Sequence, residues 1–245
     1  MTTALIGNPI PLINHANGFP HAVHLGVIKV VSAAVRHAWA TLCANPALHL
    51  VPPNPGAPEE DRYTESLCQI LDQMLQEDSS SVAGFSGTTF HSVSRSESTA
   101  NYSGANLNKQ PDILIRLAEG PLVEARRFVG IYIEAKVVSM SHGISKYTKD
   151  GLFRFVEGEY SWAMQDGIML GYQRVKHRPI GSLAQALETD ATLACVADAS
   201  GIYLDQSSHK LPGLGCSKHN RSWKYVGGGD PGAIRVWHLW DLAIP

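Results

Sequence analysis

The sequence predicts an α/β fold: a central mixed β-sheet flanked by α-helices, with an N-terminal helical extension. Three observations carry this expectation. Two stretches with helical spacing precede any clear strand. Two apolar runs, "PDILIRL" and "FVGIYIEAKVV", then alternate like the strands of a hairpin across a short loop. After them a further helical stretch leads into a second apolar strand, "GIMLGYQ". The chain has 245 residues, 44% of them hydrophobic, which is ample for a packed core.

Residues 1–58 are expected to form an arm, a helix and a linker, and residues 59–245 the main domain. In "HLGVIKVVSAAVRHAWATLCAN", Val27, Val30, Val31, Ala34, Val35 and Ala38 recur at helical spacing. The following "VPPNPGAP", residues 51–58, cannot continue a helix because proline removes a backbone donor and clashes with the preceding turn. The first 25 residues show no clear period and read as an arm that orders on a partner.

A second helix begins at "EEDRYTESLCQILDQMLQED", where Tyr63, Leu67, Ile70, Leu71 and Met74 make one apolar stripe. At about 100° per residue, Glu65 projects away from that stripe and Glu60 falls on its edge, one turn before Tyr63. Glu60 therefore has two readings. With Glu59 and Asp61 it complements the positive end of the helix dipole, or it faces a functional site. Residues 82–110 are rich in Ser, Gly and Asn, with a strand expected near 82–93 and a polar loop after it.

Composition excludes several classes. No apolar stretch is expected to reach the roughly 18–20 residues that span a bilayer, and no secretory signal pattern opens the chain. The expectation is a cytoplasmic protein without a membrane. The four cysteines are widely spaced and read as free thiols. Formal net charge is −2, and residues 59–110 carry eight acids against three bases, so bulk attraction cannot hold nucleic acid. Any phosphate grip must be local or shared with a homo-oligomer or partner protein.

The hairpin supplies the chemistry. Centring it on residue 123 sets Asp112 opposite Glu134, with Lys136 one step along the same face at about 6.8 Å. The other face then carries Ile113, Ile115, Leu117, Ile131, Ile133, Ala135 and Val137, all apolar, as a core-facing surface requires. Two opposed carboxylates repel unless a cation lies between them, and oxygen-only ligands favour Mg²⁺, with Mn²⁺ expected to substitute. A nearby ammonium would orient a nucleophile and stabilise charge developing on a phosphate. The competing reading makes Glu134 and Lys136 a surface ion pair on an edge strand.

At these residues the chain resembles the PD-(D/E)XK nuclease superfamily, the restriction-endonuclease-like fold. Pro111-Asp112 matches the first half of its motif, and Glu134-Ala135-Lys136 matches the second. The resemblance implies a restriction-endonuclease-like core, with Asp112 and Glu134 as metal ligands and Lys136 as the catalytic lysine. It also implies a glutamate from the preceding helix, for which Glu60 is the candidate and Glu65 the alternative. The "RF..G.Y" and "M.GY" patterns beyond the motif resemble a bacterial group of this superfamily found among phage-defence genes.

On this resemblance the expected function is Mg²⁺-dependent hydrolysis of DNA by the nuclease subunit of a bacterial anti-phage defence complex. The alternatives are an inactive assembly module of the same fold, or the same chemistry on RNA. Lys146, Lys149, Arg154 and Gln173 are candidates to contact nucleic acid; the basic three read equally as a solvated face. Ser217, His219, Arg221 and His238 are expected to lie near one another, without an assigned role. A zinc site from Cys195, His209, Cys216 and His219 lacks regular spacing.

Overall fold

The computed structural model describes residues 19–77, 81–118, 128–139, 143–174, 180–196 and 214–244. The helices are α1 (Leu25–Ala44), the short α2 (Pro46–His49), α3 (Glu59–Gln76), α4 (Phe153–Val156) and α5 (Ile180–Thr189). A π-helical segment, Lys146–Leu152, runs directly into α4. The strands are β1 (Phe90–Arg95), β2 (Ile113–Leu117), β3 (Gly130–Val138), β4 (Asp166–Gln173), β5 (Leu214–His219) and β6 (Ile234–Ala243).

They form a mixed six-stranded sheet in the order β1-β2-β3-β4-β6-β5. β1, β2 and β3 are antiparallel neighbours, β3, β4 and β6 run parallel, and β5 closes the far edge antiparallel to β6. The β2–β3 register pairs Ile113 with Ile133 and Ile115 with Ile131, as the centring on 123 requires. The loop at 119–127 lies outside the described residues.

Side-chain alternation assigns the two faces of the sheet. Tyr172 of β4 stacks on Trp39 of α1, its ring centroid 4.9 Å away, and its hydroxyl meets Thr64 of α3 at 3.1 Å. Helices α1 and α3 therefore cover that face, together with Ile113, Ile133 and Ala135, all fully buried. The opposite face, which carries Glu134 and Lys136, is covered by the π-helical segment. Gly151 makes the close approach possible, since a Cβ there would stand 2.6 Å from Met169 Cε and 3.4 Å from Lys136 Cγ.

Two expectations change. The strand expected near 82–93 is Phe90–Arg95, and the preceding residues form turns such as Phe85 N–H to the Val82 carbonyl at 3.0 Å. Helix α1, with 20 residues, is long and apolar enough to cross a membrane by length and composition, contrary to the sequence expectation. The structure uses its apolar face as core: Ile28, Val31, Val35 and Leu42 are fully buried in the same cluster as α3 and the sheet. Trp39 Nε1 also donates to the Ala243 carbonyl at the end of β6 (3.0 Å).

Ser217, His219 and His238 form one buried chain of hydrogen bonds with Tyr147. His219 Nδ1 lies 2.7 Å from the Leu193 carbonyl and must donate to it. Its Nε2 then accepts from Ser217 Oγ (2.6 Å), Ser217 accepts from His238 Nε2 (2.7 Å), and His238 Nδ1 accepts from Tyr147 (2.8 Å). Arg221 stands apart from this chain and donates to the carbonyls of Met164, Pro231 and Gly232. With both His219 ring nitrogens engaged, the zinc arrangement does not form among the described residues, and His209 lies outside them.

Burial lowers His219 to about 4; burial, and then His219, lowers His238 to about 3, from an ordinary 6.5. The unfolded chain therefore binds more protons below pH 6.5, so this pair's contribution to stability is complete above 6.5 and falls as pH drops towards 4 and 3. His238→Gln retains a donor and an acceptor without a titrating ring. Thermal melts from pH 4 to 8 should show a shallower acid slope for this variant than for the parent; equal slopes would refute the assignment.

Candidate functional site

The site forms where β3 runs past the end of β2. Beyond Ile133, the amides of Ala135 and Val137 have no strand partner on that side, and a buried N–H without an acceptor is costly. Two carboxylates fill the gap. Asp112 Oδ2 accepts from Ala135 N–H (2.8 Å), and Glu60 Oε2, from the first turn of α3, accepts from Val137 N–H (2.7 Å). One further step in register sets Asp112 opposite Glu134.

Lys136 stands at the centre. Its Nζ lies 2.7 Å from Glu134 Oε1, 2.7 Å from the Ala135 carbonyl, 3.0 Å from Glu60 Oε1 and 3.7 Å from Asp112 Oδ2. Glu134 is 1% exposed and accepts two further bonds, from Arg154 Nη1 (3.1 Å) and from the Tyr160 hydroxyl (2.5 Å). Burial, then Asp112, pushes the Glu134 carboxyl up to about 7 against the pull of Lys136 and Arg154. Burial works to lower the Lys136 pKa, but Glu134, Asp112 and Glu60 outweigh it and hold the ammonium above its ordinary value.

The structure thus brings together Asp112, Glu134, Lys136 and Glu60. Glu65 lies away from Lys136, with Oε1 bonded to Gln69 and Oε2 3.9 Å from Arg95 Nε. Arg154 contacts the cluster, but its guanidinium is shared between Glu134 and, at 3.9 Å, Glu159. Lys146 and Lys149 are exposed on the π-helical segment and make no ion pair with the carboxylates among the described residues. Gln173 ends β4 opposite Val138, half-buried.

Two further residues, Tyr160 and Arg95, reach the cluster without being marked as site residues by their place in the sequence. Tyr160 belongs to the "RF..G.Y" stretch, where a tight turn aims it: Gly158 has φ +67° and Ser161 +57°. A side chain at Gly158 would also strike the Trp223 indole at 2.6 Å. Arg95, at the end of β1, lies 2.8 Å from Asp61 and 3.5 Å from Asp112, and nothing in its polar surroundings marks it in sequence.

The oxygens around Lys136 Nζ are all hard donors, the chemistry that suits Mg²⁺ or Mn²⁺. As they stand, however, no three carboxylates among the described residues close on a common point that could hold a metal ion, because the Lys136 ammonium fills the space between Glu60, Asp112 and Glu134; an ion held by these three would have to take up part of that space. Comparison with protein-family models, curated proteins and solved structures gives no match. The functional reading therefore rests on this geometry.

Tyr160 fixes one oxygen of Glu134; for a divalent ion taken up by Glu134, Tyr160→Phe should weaken binding by about 10–100-fold, the usual cost of losing a hydrogen bond to a ligating group. Mn²⁺ titration of the metal-free protein measures this. Unchanged affinity would leave Tyr160 only a packing role.

Proposed function

We propose that the chain is a Mg²⁺-dependent nuclease hydrolysing DNA phosphodiester bonds, built on a restriction-endonuclease-like core. The observation that carries this reading is the convergence of Asp112, Glu134 and Glu60 on one lysine ammonium at the end of a hairpin. The element order supports the core assignment: helix α3, an antiparallel three-strand meander, a helical crossover, then a parallel strand.

The chain's own residues divide the work. The Ala135 and Val137 amides fix the outer carboxylates, and Tyr160 and Arg154 fix Glu134. Lys136 orients the attacking water and stabilises negative charge developing on the phosphate. Bound Mg²⁺ supplies an acidified water and positive charge for the phosphate oxygens. With a net charge of −2, the chain needs a second copy or a partner protein for its remaining grip on DNA, consistent with a nuclease subunit of a bacterial anti-phage defence complex.

Metal binding tests this reading without requiring turnover. Mn²⁺ followed by electron paramagnetic resonance should show saturable binding to the parent and a large loss in Glu134→Ala. Affinity should rise as pH increases through about 7, where Glu134 sheds its proton. Equal binding by both proteins would place the metal elsewhere. Parallel cleavage of DNA and RNA then separates the two substrates.

A further inference from the structure

A cavity of about 760 Å³ adjoins the candidate site and shares Asp112 with it. Its volume falls in the range of small-molecule pockets. One wall is the proline-rich linker, with Pro52, Pro53 and Pro58; the floor is the start of α3 and the end of β1. The linker is pinned: Val51 N–H donates to Ser66 Oγ (2.9 Å), and the Val51 carbonyl accepts from Arg62 Nε (2.5 Å). The cavity is therefore preformed, and prolines leave little conformational freedom to lose on binding.

Its charge selects the occupant. Glu59, Asp61, Glu65 and Asp112 line it against Arg62 and Arg95, and Arg95 is already bracketed by Asp61, Glu65 and Asp112. Acid in excess repels phosphate and favours a flat, neutral ring that donates hydrogen bonds. Apolar proline faces suit such a ring, and the carboxylates of Asp61 and Glu65 are half-exposed acceptors.

We infer that this cavity receives a nucleobase bearing an exocyclic amine, from the nucleotide next to the phosphate at Asp112 and Lys136. This rests on the nuclease reading and adds a base-selecting subsite to it. Thymine and uracil, which lack the amine, would leave the carboxylates facing a carbonyl oxygen and are disfavoured.

The test is binding of deoxycytidine and thymidine to the full chain without added metal, followed by saturation-transfer NMR. Deoxycytidine should bind about 10-fold more tightly than thymidine, the equivalent of one hydrogen bond of about 1.4 kcal/mol. Ala57→Trp fills the cavity from the exposed linker and should abolish the signal. Glu65→Gln preserves side-chain size and should narrow the preference. Equal binding of both nucleosides, or binding that survives Ala57→Trp in a variant with parental melting, overturns the inference. A parent that cleaves DNA without nucleoside selectivity sinks the pocket alone; one that binds deoxycytidine selectively and cleaves nothing sinks the nuclease reading and with it the subsite role.

Discussion

Lys136→Ala is expected to lower Mg²⁺-dependent DNA cleavage by about 10²–10³, or about 2.7–4 kcal/mol of barrier. The ammonium touches oxygens of Glu134, Glu60 and Ala135 at 2.7–3.0 Å, and among the described residues the only other cation recorded on these oxygens is Arg154, on Glu134 alone. Its loss leaves three carboxylates with less countercharge. Glu134 keeps Arg154 and Tyr160, and Glu60 keeps the Val137 amide, so the strands retain their anchors. Without metal the variant should melt below the parent, and added Mg²⁺ should restore more stability to it than to the parent. Rates and melting curves measured with and without Mg²⁺ check both effects. Full activity in a well-folded Lys136→Ala protein would mean that the ammonium serves structure alone.

Asp166→Ala should be the largest single loss of stability. The Asp166 carboxylate is fully buried at the start of β4 and accepts from Val23 N–H (2.9 Å), Arg235 Nη2 (2.9 Å) and Trp237 Nε1 (3.0 Å); Arg235 Nε lies 2.9 Å from its other oxygen. It therefore joins the segment before α1 to β4 and β6. Breaking a buried ion pair from one side typically costs about 3–5 kcal/mol. Arg235 keeps 40% of its side chain in water, which puts the expected cost near the low end, about 3 kcal/mol. For a chain of this size that lowers the melting temperature by roughly 6–12 °C. A shift below about 2 °C in a thermal melt would show that water replaces the carboxylate without difficulty.

The hairpin was legible in the sequence because its two faces obey one alternation. A single register puts Ile113, Ile133 and Ala135 on the helix-covered side and Asp112, Glu134 and Lys136 on the other. Glu60 was legible for a similar reason: its angle from the apolar stripe of α3 is fixed by helix geometry, and Val137 N–H and Lys136 lie where that angle points. Tyr160 was not legible, because its contact with Glu134 spans 26 residues and depends on the turn at Gly158–Ser161. Arg95 belongs to a strand whose start the surrounding Ser and Gly residues obscure. The layer formed by α1 was hidden for another reason: amphipathic spacing reveals a buried face but not what covers it, and the covering groups on β4 and β6 come more than a hundred residues later.

The π-helical turn is also absent from the local pattern, which reads as an ordinary helix through Lys146–Leu152. Its wider turn lets Gly151 settle against Lys136 and Met169 while Tyr147 bonds His238. Such turns recur at functional sites, where a regular helix would misplace the residues it carries.

The nuclease reading is decided by cleavage of supercoiled plasmid DNA by the purified chain, in Mg²⁺ and in chelator, beside Glu134→Ala matched for melting temperature. The parent should give nicked or linear product in Mg²⁺ alone, and Glu134→Ala none. Equal cleavage by both proteins, or cleavage that persists in chelator, would contradict that reading.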